Sequence, residues 1–142
     1  MTFEVPDEGQ PISDEWWDPL LAVAARTRES PRLLDRCFEV GDFMVMGRDR
    51  RRGRPLVYLY KHRDTRRYLN VDAQLRAYRY VTPRRRDTSQ GSYRRLASLE
   101  EGIDHVGLWE LPTFRPDLVA ARLGIPESQV RLLRYPDDDF AA

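Results

Sequence analysis

The chain has 142 residues, enough for one domain with a core of its own and short for two. An apolar fraction of 41%, with three Trp, seven Tyr and five Phe, excludes a disordered chain, and a single cysteine, Cys37, excludes an internal disulfide framework. The net charge of +1 hides strong segregation: residues 1–46 carry ten acidic and four basic groups, residues 47–95 four and sixteen, and residues 96–142 nine and four.

In chain order, residues 1–13 read as a flexible acidic lead. It lacks the apolar stretch of a secretory signal. Asp18-Pro19 carries the start signal of a helix over residues 19–28, with Leu20, Leu21, Val23 and Ala24 as its apolar face. Ser30-Pro31 predicts a second helix, residues 31–38, burying Leu33, Leu34, Cys37 and Phe38. Residues 43–46 form a short apolar strand, and residues 48–55 a basic turn. Leu56 to Lys61 alternate as a strand, with Val57, Leu59 and Lys61 on one side and Tyr58, Tyr60 and His62 on the other. Residues 68–71 and 75–81 give two more strands. Connections this short require antiparallel pairing. Residues 83–92 read as a basic loop.

Ser98-Leu99-Glu100-Glu101 is a capping box that opens a helix through Leu99, Ile103 and Val106, stopped by Gly107. Gly102 inside it costs about 1 kcal/mol relative to alanine. Residues 115–124 and 126–135 predict two further helices, and 137–142 an acidic tail. The expected architecture is therefore α+β: an antiparallel three- to four-stranded sheet, a meander, flanked by N-terminal and C-terminal helices. Residues 14–136 would form the single domain.

Three features point to a ligand. First, Tyr58, Tyr60, Tyr68, Tyr78 and Tyr80 would share one sheet face, with Arg63, Arg66, Arg67, Arg76 and Arg79 among or beside them. Rings stack on unpaired bases while guanidinium groups hold phosphates. The alternative is that the tyrosines pack under the helices. Second, Arg50, Arg51, Arg52 and Arg54 would tip a hairpin, and Arg84, Arg85 and Arg86 a second loop. Both suit a phosphate backbone or an acidic protein surface. Third, Trp16 and Trp17 stand side by side, so one ring is a candidate anchor for a partner.

Residues 117–133 resemble the general helix-turn-helix pattern, with Ala120 as the small residue and Gly124 in the turn. Glu127 at the head of the second helix and the aspartates after it oppose entry into a DNA groove. A two-helix packing unit is the expectation there. Tyr58, Tyr60, Tyr68, Leu69 and Arg76 are faintly similar to the opening of GIY-YIG nucleases. Asn70 stands where that family has glycine, and the position of Arg76 reads as strand, so the similarity is not adopted.

His62 and His105 have no metal-ligand spacing to a partner. No phosphate loop or nucleophile elbow occurs. No catalytic residue, metal or cofactor is therefore expected. The reading is a non-enzymatic nucleic-acid-binding module, with RNA or DNA undetermined, that uses the arginine hairpin and the tyrosine face. The alternative is a protein-interaction module, antitoxin-like or immunity-like, that meets an acidic partner. Self-association of the acidic ends with the basic middle is a third reading. One cysteine and no apolar run of ~18–20 residues lead us to expect cytoplasmic residence without membrane contact.

Overall fold

A computed structural model of the chain describes residues 2–29, 38–82, 91–108, 117, 120–121 and 124–129. Among them the architecture is α+β. Six antiparallel strands lie in sequence order: β1 (Thr2–Glu4), β2 (Phe43–Arg50), β3 (Leu56–His62), β4 (Tyr68–Asp72), β5 (Ala77–Val81) and β6 (Ser92–Arg95). Helix α1 (Asp14–Glu29) connects β1 to β2, and α2 (Leu99–His105) follows β6. The meander is therefore present, but with six strands rather than three or four.

Both additional strands are short and polar. Three residues of the acidic lead pair with β2, Phe3 opposite Asp49 and Glu4 opposite Arg48. The β6 strand, Ser-Tyr-Arg-Arg, emerges from what read as a basic loop and pairs Tyr93 with Tyr80 and Arg95 with Tyr78. β2 also runs on through Arg48–Arg50, which the sequence reading placed in the turn. A bulge between Val45 and Gly47 allows this. Gly47 has φ 148°, and a Cβ there would stand 2.7 Å from the Glu4 carbonyl oxygen, so only glycine lets β1 come this close.

Helix α1 starts five residues before Pro19 rather than at it. Pro19 is the sixth residue of the helix, so the Glu15 carbonyl loses the N–H partner it would have had inside the helix. Asp14 and Glu15 in the first turn and Arg26 and Arg28 in the last match the helix dipole. Trp16, Pro19, Leu20, Val23, Ala24 and Thr27 make the buried stripe. Leu21, expected on that stripe, is 50% exposed.

The core lies between one sheet face and the two helices. Leu20 and Val23 of α1 meet Phe43, Tyr60, Leu69 and Val71, and Leu99 and Ile103 of α2 belong to the same cluster. The Tyr60 hydroxyl donates to the Trp16 carbonyl oxygen at 2.7 Å and ties α1 to β3. Ser98 caps α2 by accepting from the Glu101 N–H at 3.1 Å, and Glu101 reaches back to the Ala97 N–H at 2.8 Å. Gly102 lies over Ala77, where a Cβ would come within 2.7 Å of the Ala77 Cβ. The glycine that weakens the helix is what lets it sit on the sheet.

Several expectations fall outside the described residues: the helix over 31–38 except Phe38, Cys37, the loop with Arg84, Arg85 and Arg86, and the acidic tail. Little of the 117–133 unit is described. Ala120 is buried, and Gly124 takes φ 65°. No helix among the described residues is long and apolar enough to cross a membrane.

Candidate functional site

Register decides which side chains meet. Residues directly opposite on neighbouring strands share a face. Tyr58 pairs with Val71 and Tyr60 with Leu69, whereas Asn70 pairs with Tyr78. Tyr58 and Tyr60 therefore lie on the helix-covered face, and Tyr68, Tyr78 and Tyr80 on the other. This corrects the expectation of five tyrosines on one face. Tyr60 is fully buried, and the rings of Tyr58 and Tyr60 stack at 6.5 Å under α1.

Trp16 is also internal, at 7% exposure. Its ring lies edge-on to Tyr58, and the Arg48 guanidinium covers it 4.2 Å from the ring centroid. Arg48 is itself held by Glu4 at 2.9 Å. Trp17 is half-buried and packs against the core. The tryptophan pair anchors α1 to the sheet, because both side chains face back toward the core from the first turn and a half of the helix.

The face away from α1 carries a different chemistry. Val57 pairs with Asp49 on β2 and with Asp72 on β4, which places two buried carboxylates on one row with a valine between them. Each carboxylate has one arginine and one tyrosine. Asp72 Oδ2 accepts from Arg76 Nε and from the Tyr78 hydroxyl, both at 2.7 Å. Its Oδ1 accepts from the Gln74 and Arg76 N–H groups at 2.9 and 3.0 Å. Burial opposes the Asp72 charge, but these bonds from Tyr78, Arg76 and Gln74 outweigh it and hold the carboxyl below its ordinary pKa. Asp49 Oδ2 accepts from Arg51 Nε and Nη2 at 3.4 and 3.3 Å and from the Tyr93 hydroxyl at 3.1 Å. Burial first, and then the neighbouring carboxylate, raises the pKa of both Tyr78 and Tyr93, so both phenols remain donors.

The Tyr93–Asp49 bond reports the shape of the sheet. β2 and β6 are four strand spacings apart in sheet order, roughly 19 Å in a flat sheet. A direct bond, and a second from Arg51 to the Gly91 carbonyl oxygen, require the sheet to curl about this face. Arg51 also lies 5.4 Å from the Tyr93 ring centroid.

The curl forms a cleft of about 620 Å³ beside the β2–β3 turn. Six arginines line it: Arg51, Arg52, Arg54, Arg76, Arg94 and Arg95. Tyr93 stands in its wall, while Val57 and Tyr78, the most buried of the lining groups, form its floor. Arg51 and Arg76 are engaged by Asp49 and Asp72. Arg52, Arg54 and Arg95 make no ion pair among the described residues, so the cleft keeps excess positive charge, while Arg94 borders it from the opposite face of β6.

Of the residues singled out from the sequence, the cleft thus gathers Arg51, Arg52, Arg54, Arg76 and Tyr78. Arg50 is exposed at the end of β2 and shares the α1 side with Leu56. Arg66 and Arg67 lie in the β3–β4 turn, at the far end of β3 from the cleft. Arg79 pairs with Arg94, on the same side of β5 as the core residue Ala77. Arg94, Arg95 and Tyr93 were missed because β6 was missed. The signal available was the alternation of Tyr93 and Arg95 with Ser92 and Arg94, too short to stand out beside a basic run. Searches of protein-family models, of curated proteins and of solved structures find no match to this chain.

Proposed function

We propose that the protein is a non-enzymatic nucleic-acid-binding module whose contact surface is the arginine cleft rather than a tyrosine sheet face. The observation that supports this reading is the convergence of Arg52 and Arg54 from the β2–β3 turn and Arg95 from β6 on one concave site without carboxylate partners among the described residues. Guanidinium groups fork onto phosphate oxygens. The two carboxylates beside the cleft are occupied in holding Arg51, Arg76, Tyr93 and Tyr78, so they brace the walls. A cleft of this size admits an unpaired strand or its end, and a duplex only at its rim. Single-stranded nucleic acid is the ligand this reading favours.

The test is fluorescence anisotropy with labelled single-stranded RNA, single-stranded DNA and duplex DNA at low and physiological salt. Neutralising three phosphate charges on a single strand gives a slope of log K against log salt of roughly −2. Saturable binding to a single strand with that slope is the expected result. Binding that vanishes at physiological salt, or that does not distinguish strand from duplex, would leave the cleft to an acidic protein partner.

A further inference from the structure

Resting on that reading, we infer that the cleft takes a nucleotide bearing a terminal phosphomonoester, and so grips the phosphorylated end of a strand rather than phosphates along its length. Arginines face the space from two separate elements, Arg52 and Arg54 from the β2–β3 turn and Arg95 from β6. An internal phosphodiester carries one negative charge. A phosphomonoester carries nearly two at neutral pH and offers three terminal oxygens. Arginines converging from two sides match that dianion better than they match a row of monoanions, which calls for cations spaced along a groove.

Shape agrees with charge. The Tyr93–Asp49 bond and the Arg51 contact to Gly91 tie β2 to β6 and wall the cleft on that side. The space, about 620 Å³, lies within the size of small-ligand sites. Its floor is apolar: Val57 and the Tyr78 ring, whose hydroxyl is turned onto Asp72. A sugar or base rests there while the arginines hold the phosphate at the mouth. The same chemistry is found at a strand end and on a free nucleotide, and the experiment separates the two.

The protein is titrated against one labelled single-stranded oligonucleotide in three forms, 5′-phosphorylated, 3′-phosphorylated and both ends hydroxyl, and the tighter phosphorylated form is then competed with unlabelled nucleoside 5′-monophosphate. One phosphorylated form should bind about tenfold or more tightly than the hydroxyl form. Arg95→Ala should remove most of that preference, with folding checked by circular dichroism. Equal affinity for all three oligonucleotides overturns the inference while leaving strand binding intact. Binding of none of them overturns both. A mononucleotide that binds as tightly as the phosphorylated strand keeps the phosphomonoester and removes the strand, so the proposed function alone fails. The comparison of the three strands and the competition need no variant, so a misfolded Arg95→Ala protein would not obscure the answer.

Discussion

The Tyr93 hydroxyl donates to Asp49 Oδ2 at 3.1 Å, and the two residues lie 44 positions apart on strands at opposite sides of the meander. The bond does two things. It satisfies one oxygen of a carboxylate that is buried with its other oxygen, Oδ1, unbonded, and it holds the sheet in its curl. Removing the hydroxyl leaves a buried charge held by Arg51 alone. Tyr93→Phe should therefore lower stability by about 2 kcal/mol in chemical denaturation, the range for a hydrogen bond to a charged group. Tyr80→Phe, on the neighbouring ring that is 44% exposed, should change it by only a few tenths. An equal effect of the two substitutions would mean that the Asp49 bond is not what holds the curl.

Gly102 offers a reversal of sign. In an exposed helix, glycine to alanine stabilises by about 1 kcal/mol. Here the new methyl would stand 2.7 Å from the Ala77 Cβ, which is fixed to its own backbone and can give way only if the strand moves, and 3.4 Å from Leu69 Cδ1. Overpacking of this kind costs about 1–3 kcal/mol. Gly102→Ala should destabilise the protein on balance, measured by thermal or urea unfolding. Stabilisation would show that α2 can lift from the sheet at no cost.

What the sequence made legible follows from how local each signal was. The alternation of Val57, Leu59 and Lys61 against Tyr58, Tyr60 and His62 is intrinsic to one strand, and it is what β3 adopts. The Ser98 cap is equally local. The relation between strands is not local. Tyr68 and Tyr78 fall opposite Lys61 and Asn70, and that register is set by hairpins in which Arg66 and Leu75 take left-handed conformations, φ 64° and 62°, without the glycine that would have announced them. The bond between Asp49 and Tyr93 depends on the curl of the whole sheet, so neither residue stood out as a site residue. Pro19 misled in the other direction, because a proline near a helix start marks the first turn only approximately.

His62 gives a pH dependence with a definite sign. The ring is fully buried against Phe43, 5.1 Å between centroids, and its Nδ1 accepts from the Asp64 and Thr65 N–H groups at 3.1 and 3.3 Å. Burial lowers its pKa below the ordinary 6.5, and Asp42 and Asp64 only partly offset this. The unfolded chain therefore takes up the proton at higher pH than the folded one. The contribution is present above the unfolded pKa and declines as pH falls from about 6.5 through the folded value. Asp72, also lowered, acts in a separate window: its contribution is lost as pH falls below its unfolded value of 3.8. In an NMR titration, where the chain has only two histidines, the signal that disappears in His62→Gln should titrate below 6.5. A midpoint above 6.5 would contradict the buried, doubly accepting imidazole.

Arg66 and the Arg52–Arg54 pair separate position from charge. All three are exposed arginines of the basic middle, but Arg66 lies in the β3–β4 turn at φ 64°, away from the cleft. A left-handed residue with a Cβ costs about 1–2 kcal/mol, of which glycine recovers part after its larger unfolded entropy is deducted. Arg66→Gly should raise stability by about 0.5–1 kcal/mol and leave affinity for a single-stranded oligonucleotide nearly unchanged. Arg52→Ala with Arg54→Ala should do the opposite: stability within about 0.5 kcal/mol of the parent, and a salt slope shallower by roughly 1.4, two contacts fewer. Losses that track the number of arginines removed, irrespective of where they stand, would make the whole basic segment a diffuse polyanion surface. A loss confined to the Arg52 and Arg54 variant would locate binding at the cleft.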